Sequence, residues 1–241
     1  MYEYQLTRLP GYGFRCIAID LRGYGKSDHP WERYSYDRLS DDIRIVMDAL
    51  QLHDVSLIGF SMGGAIAIRY MSRHTGHRVS RLALLGAAAP SFTKREGYPF
   101  GTTKEEVNSL IAASLKDRPS MLELFGQKFF ASQISPAFRD WFHQLGIEAS
   151  PHGTVKGLEM LRDEDLRPDL AAVRVPTAIF HGVLDQICPF EFARLMHQGI
   201  AGSILVPFEH SGHGLFYDEL DKMNHELLLF LNQVSYRIGN S

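Results

Sequence analysis

The chain has 241 residues, of which 45% are hydrophobic, 22% charged and 11% aromatic, and its formal net charge is −3. These proportions suit a globular protein with one large core. Without any basic block they exclude nucleic acid and anionic membrane surfaces as expected partners. No apolar run reaches the roughly 18 residues of a membrane span, and the opening MYEYQLTRLPGYGF lacks the charged-then-apolar pattern of a secretory signal, so the expected location is cytoplasmic.

The first strand candidate is RCIAID (15–20), short, apolar and closed by an aspartate. DLRGYGKSD (20–28) follows it. It holds Gly23 and Gly25 but no third glycine, and it reads as a structural turn rather than a phosphate loop. Leu39, Ile43, Val46, Met47 and Leu50 recur at helical spacing, with Ser40 or a nearby aspartate able to cap the start. VSLIGF (55–60) is the second strand candidate, and a helix from Gly63 to Ser72 follows directly. LALLGA (82–87), TAIFHG (177–182) and SILVPF (203–208) complete the set of buried strands. Continuous apolar runs of this length, bounded by Gly, Asp or Pro, suit a parallel sheet covered on both faces. Leu220, Met223, Leu227, Leu228, Leu231 and Val234 form a last helical stripe.

Between Pro90 and Pro168 the alternation of strand and helix breaks. Helical periodicity persists through Val107, Leu110, Ile111 and Leu115, then Met121, Leu122, Leu124, Phe125 and Phe129, but no strand is visible. The stretch is rich in Phe and also holds Trp141. The pattern predicts an α/β fold with a mainly parallel, doubly wound sheet built from residues 1–90 and 169–241, and a helical cap at 91–168. The two cysteines, Cys16 and Cys188, match no metal-ligand spacing and read as free thiols.

The chemistry centres on Gly59-Phe60-Ser61-Met62-Gly63. A serine hydroxyl is a weak nucleophile unless a base takes its proton and a carboxylate orients the base. A G-x-S-x-G sequence between a strand and a helix makes a sharp, strained turn that lifts the hydroxyl to the carboxyl end of the sheet. It also aims the N–H of the next residue, Met62, at a developing oxyanion. After the last strand, His213 stands between Gly212 and Gly214 and is preferred to His210 as the base. After the preceding strand, Asp185 is the orienting acid. Asp163, Asp165 and Asp169 read as a solvated surface run, and His181 as a structural residue. Phe60 and Trp141 are the substrate-contacting candidates.

DLRGYGKSD, GFSMGG, RVSRLALLGAAAP, HGVLDQICPFE and SGHG together resemble the α/β-hydrolase superfamily, and within it bacterial serine esterases of the cofactor-free haloperoxidase and arylesterase group. The resemblance implies an α/β-hydrolase fold, a Ser61–Asp185–His213 triad and acyl transfer through a covalent acyl-enzyme. It implies hydrolysis of small acyl or aryl esters, no metal or organic cofactor, and a perhydrolase side reaction. The same triad also serves carbon–carbon bond hydrolases. A haloalkane dehalogenase needs a carboxylate at position 61. In the family, strands precede the one matching RCIAID, and one of them ends in a His-Gly loop that donates a second oxyanion N–H. The sequence here starts later, in what matches the following helix. The N-terminal strands are therefore expected to be missing, with RCIAID and VSLIGF pairing directly or across a homo-oligomer. A non-catalytic ligand-binding protein lacking the full oxyanion hole is the alternative from another class.

Overall fold

A computed structural model describes residues 1–232. Val234 of the final stripe lies outside the described residues. Among them are four strands: β1 (Val55–Phe60), β2 (Val79–Leu85), β3 (Thr177–Gly182) and β4 (Ile204–Phe208). They form one sheet in the order β1-β2-β3-β4, with every neighbouring pair parallel. Phe60 lies opposite Leu85, Leu85 opposite Phe180, and Gly182 opposite Phe208. The carboxyl ends of the strands are thus level, and the loops that leave them gather at one rim.

Residues alternate between two apolar layers, as the period of two along a strand requires. Leu82, Leu84 and Ile179 face a cluster with α2 (Tyr36–Ala49), α3 (Met62–Arg73) and α7 (Phe190–Gly199). Ala83, Leu85, Ala178 and Phe180 face a second cluster, with Leu9, which follows α1 (Glu3–Arg8), and with α8 (Leu215–Asp218) and α9 (Leu220–Asn232). Full burial of one such Leu or Phe contributes roughly 1.5–3 kcal/mol. The start of α2 is capped by Ser35, whose hydroxyl accepts the Arg38 N–H at 3.1 Å. Ser40, the expected cap, lies inside the helix, buried, and donates to the Asp37 carbonyl.

RCIAID does not form a strand. The backbone at 15–20 enters no ladder, β1 pairs with β2 alone, and Ile17 and Ile19 are exposed. The direct pairing with VSLIGF is therefore not found; residues 15–19 and β1 instead line a common cavity. Apolarity selects residues that suit a strand, but a strand exists only where the backbone N–H and C=O groups find ladder partners. Beside β1, Tyr2 packs against the apolar cluster that contains Phe60.

Between β2 and β3 the described residues form three α-helices, α4 (Lys104–Gly126), α5 (Pro136–Ile147) and α6 (Pro151–Asp163), with two isolated β-bridges before them. Ser135 and Ser150 accept an N–H in the first turn of α5 and α6, each with a proline at the start of the helix, where its missing N–H costs nothing. Thr103 and Glu106 form a reciprocal capping box on α4. That helix is kinked at Asp117, whose carboxylate re-caps its second half by accepting the Ser120 N–H at 3.1 Å, with Pro119 just inside. The turn at 20–28 supports α6: the Ser150 N–H donates to the Gly23 carbonyl and the Tyr24 hydroxyl to the Gly153 carbonyl. Among the described residues no helix is long and apolar enough to cross a membrane.

Candidate active site

Ser61 joins β1 to α3 with φ 52° and ψ −121°, a positive-φ conformation that a non-glycine residue adopts only when its surroundings hold it there. Four backbone hydrogen bonds hold it: its N–H donates to the Leu85 carbonyl, and its carbonyl accepts from Gly64, Ala65 and Ala88. The flanking glycines play unequal parts. A Cβ on Gly59 would lie 2.5 Å from the Gly63 carbonyl oxygen and one on Gly64 would meet Ala87, whereas a Cβ on Gly63 would have nothing within 4 Å. Close packing of strand on helix, at Gly59 and Gly64, is what excludes side chains here.

The structure brings Ser61, Asp185 and His213 together from three separate loops at the sheet rim. His213 Nε2 is 2.9 Å from Ser61 Oγ, and His213 Nδ1 is 2.7 Å from Asp185 Oδ2. A carboxylate oxygen can only accept, so Nδ1 carries the proton and the Nε2 lone pair faces the serine hydroxyl. His213 is 1% exposed and Asp185 7%, so both contacts act largely away from water. The second oxygen of Asp185 accepts the backbone N–H groups of Ile187 and Cys188, each at 2.8 Å. Burial pushes the Asp185 carboxyl up, but its contact with His213 and the hydrogen bond from the Cys188 N–H outweigh it and hold the group below its ordinary range. Met62 is the first residue of α3, and its N–H is one of the first-turn donors that have no partner within the helix.

A cavity of about 1490 Å³ opens beside Ser61. Phe60, Met62 and Tyr24 line it on one side, and Leu122, Phe125, Phe142 and Leu161 of the inserted helices, with Phe129 after α4, on the other. Phe60 packs against the His213 ring at 4.8 Å between centroids. Trp141 is not among the lining residues; it packs against Phe138. One residue along a helix rotates a side chain by about 100°, so α5 turns Phe142 into the cavity and Trp141 away from it. His210 is exposed, and its backbone N–H donates to Glu219. Asp163 and Asp165 pair with Arg162 and Arg167 at the surface. Asp169 departs from the expected surface run: it is 9% exposed, bonded by the Ser72 hydroxyl and 3.5 Å from Arg69. Among the described residues no group of three or more His, Cys, Asp or Glu side chains has the arrangement of a metal site.

Several residues around the site carry no local sequence signal. Phe129 lies edge-on to the His213 ring at 4.7 Å, and its carbonyl accepts the Gly214 N–H at 2.7 Å. Asp218 accepts N–H groups from both Gly212 and Ala131, joining the loop before His213 to the segment after α4. The Cys188 thiol is fully buried, and burial raises its pKa well above the ordinary thiol value. Each of these contacts links residues far apart in sequence or depends on backbone rather than side-chain type.

The chain matches a family model described as the alpha/beta hydrolase fold over residues 3–107. It is 53% identical over 232 residues to an AB hydrolase superfamily protein, YisY, of Bacillus subtilis, covering 96% of this chain and 87% of that one. It is 30% identical to the non-heme chloroperoxidase CPO-A1 of Kitasatospora aureofaciens, again over 96% and 87% of the two chains. Among solved structures, an esterase from Exiguobacterium antarcticum superposes with a TM-score of 0.94 at 51% identity, over 95% of this chain and 86% of that one. The strand-turn-helix around Ser61, the parallel sheet with helices on both faces and this likeness along nearly the whole chain agree: the protein belongs to the α/β-hydrolase superfamily.

Proposed function

We propose that the protein is a serine hydrolase that cleaves small acyl or aryl carboxylic esters through an acyl-enzyme. The observation that carries the reading is the unbroken hydrogen-bonded chain from Asp185 through His213 to Ser61. In the first half-reaction Ser61 Oγ attacks the ester carbonyl carbon while His213 Nε2 takes its proton. The carbonyl oxygen becomes an oxyanion facing the Met62 N–H. Collapse expels the alcohol, which takes the proton back from His213. Water, deprotonated by the same nitrogen, then attacks the acyl-enzyme and releases the acid. Asp185 fixes the Nδ1–H tautomer and stabilises the imidazolium formed in each half, and its low pKa keeps it ionised wherever His213 is in use. The apolar lining beside Ser61 supports acyl or aryl groups without charge.

The test is turnover of p-nitrophenyl acetate together with labelling by a fluorophosphonate. The native chain is expected to do both. Ser61→Ala is expected to lose both while keeping its melting temperature, and labelling that survives the substitution overturns the assignment. Saturable binding of the ester with no burst and no turnover would favour a ligand-binding protein instead.

The similarity to a chloroperoxidase favours one additional reaction. Hydrogen peroxide in place of water attacks the acyl-enzyme, so that its oxygen bonds to the acyl carbon, Ser61 leaves with the proton, and a peracid is released. Peracid formation from acetate or an acetyl ester and peroxide, lost in Ser61→Ala, tests it.

A further inference from the structure

His181, near the end of β3, is completely buried and does not touch Ser61 or His213 through any hydrogen bond. Its Nε2 lies 2.7 Å from the Cys188 carbonyl oxygen and 3.5 Å from Asp185 Oδ2. Its other ring nitrogen, Nδ1, is buried and has no hydrogen-bond partner among the described residues. A carbonyl only accepts, so the ring proton is on Nε2. An N–H at Nδ1 would be a buried donor with nothing to receive it, so Nδ1 is the bare nitrogen and the ring is neutral. Burial drives its pKa down, against the pull of Asp185 and Glu191, and agrees with that state.

Cys188 is held from both ends. Its N–H donates to Asp185 Oδ1, and its carbonyl accepts from His181. Asp185 Oδ1 is thereby committed to the Ile187 and Cys188 N–H groups, which leaves Oδ2 to face His213. A shift of Cys188 therefore disturbs the Asp185 end of the hydrogen-bonded chain. A cationic ring at 181 would compete with His213 for Asp185 Oδ2; a neutral one holds the turn without competing.

We infer that His181 is a positioning residue for the ester-cleaving reaction: as a neutral donor it fixes the Asp185–Cys188 turn and so aims Asp185 Oδ2 at His213. The inference rests on the serine-hydrolase reading of the site. The ionisable groups that face His181 are Asp185, His213 and Glu191. Only a donor at the Nε2 position is required, and a glutamine amide places its nitrogen close to that point.

The experiment compares native protein, His181→Leu and His181→Gln. Sites are counted by fluorophosphonate titration, and kcat and KM for p-nitrophenyl acetate are then followed across pH. The downfield proton resonance of His213 Nδ1–H is read by NMR. In His181→Leu, kcat per titrated site is expected to fall roughly 10- to 100-fold with KM changed less than about threefold, the size of loss that a displacement near 1 Å brings. The acidic limb of kcat/KM is expected to move to lower pH, because a misdirected carboxylate stabilises the imidazolium less. The resonance is expected to shift upfield or broaden. His181→Gln is expected to restore all three. A leucine variant that loses only melting temperature, with kcat per site, the acidic limb and the resonance unchanged, assigns His181 to packing and overturns the inference. If the native protein neither labels nor turns over, the serine-hydrolase reading fails instead, and the resonance in the three proteins still reports whether His181 aims Asp185.

Discussion

Gly182, at the end of β3, lies directly against Gly212, one residue before His213: a Cβ on Gly182 would fall on the carbonyl oxygens of Gly212 and Ser211. The loop that carries the imidazole therefore rests on the bare backbone of the strand that leads to Asp185. Gly182→Ala is expected to push that loop outward and lengthen the His213–Ser61 contact. The expected loss is about 10²-fold or more in kcat per folded molecule, with overpacking costing about 1–3 kcal/mol of stability. Pre-steady-state bursts and thermal melts separate the two effects. A variant that unfolds earlier yet turns over at the native rate would show that the loop has another support.

The two glycines of the nucleophile turn invite a matched comparison. A side chain at Gly59 collides with the backbone of Gly63 and Gly64, whereas one at Gly63 meets open space. Gly59→Ala is expected to abolish fluorophosphonate labelling or folding. Gly63→Ala is expected to keep labelling within about tenfold of native. Equal damage from both would mean that the turn depends on backbone freedom at Gly63 rather than on the approach of helix to strand.

These contrasts mark where a sequence speaks and where it does not. Ser61, Asp185 and His213 were legible because each follows a strand candidate in a fixed order and each residue type has a chemical reason to be there; the structure draws them within hydrogen-bonding distance. The strands at 55–60 and 177–182 were legible from unbroken apolar runs between turn residues. RCIAID has the same composition and forms no strand, since the property that decides is a ladder partner elsewhere in the chain. Trp141 and Phe142 differ by one residue in a helix whose phase toward the cavity is set by packing. Asp169 and Asp218 owe their surroundings to contacts across the fold. The Asp218–Ala131 bond spans 87 residues, and no local pattern encodes it.

Glu106 supplies a prediction about pH. Its carboxylate accepts from the Thr102 hydroxyl and the Thr103 N–H, and these bonds lower its pKa from 4.5 to about 2. A group whose pKa is depressed by folding stabilises the native state above its unfolded value and loses that contribution as pH falls through its folded value. The capping box at α4 is therefore expected to be fully effective above about pH 5 and to fade between about pH 4.5 and 2. Glu106→Gln is expected to melt below the native protein at pH 7, and the gap between the two is expected to narrow steadily as pH is lowered through that window. A gap that stays constant with pH would mean that the carboxylate's charge plays no part in the cap.

Asp218 ties the loop before His213 to the inserted helices. One carboxylate oxygen accepts from Gly212 at 2.8 Å and Ala131 at 2.9 Å, and the other accepts from the Ser132 N–H at 3.0 Å and from its hydroxyl. The segment after α4 thus shares one anchor with the loop before His213, and movement of the inserted segment is expected to reach the imidazole. Asp218→Ala strands these donors; because water reaches them in part, the cost to stability is expected at about 1–2 kcal/mol, below the penalty for fully buried groups. Catalytically, both the cavity wall and His213 are loosened, so KM for a bulky aryl ester is expected to rise several-fold and kcat to fall about tenfold. Ser132→Ala removes only the hydroxyl contact and is expected to change neither by more than about twofold. Steady-state kinetics with acetate and bulkier esters decide the matter: if Asp218→Ala lowers kcat equally for all of them and leaves every KM unchanged, Asp218 steadies the histidine loop alone and the inserted helices move independently of it.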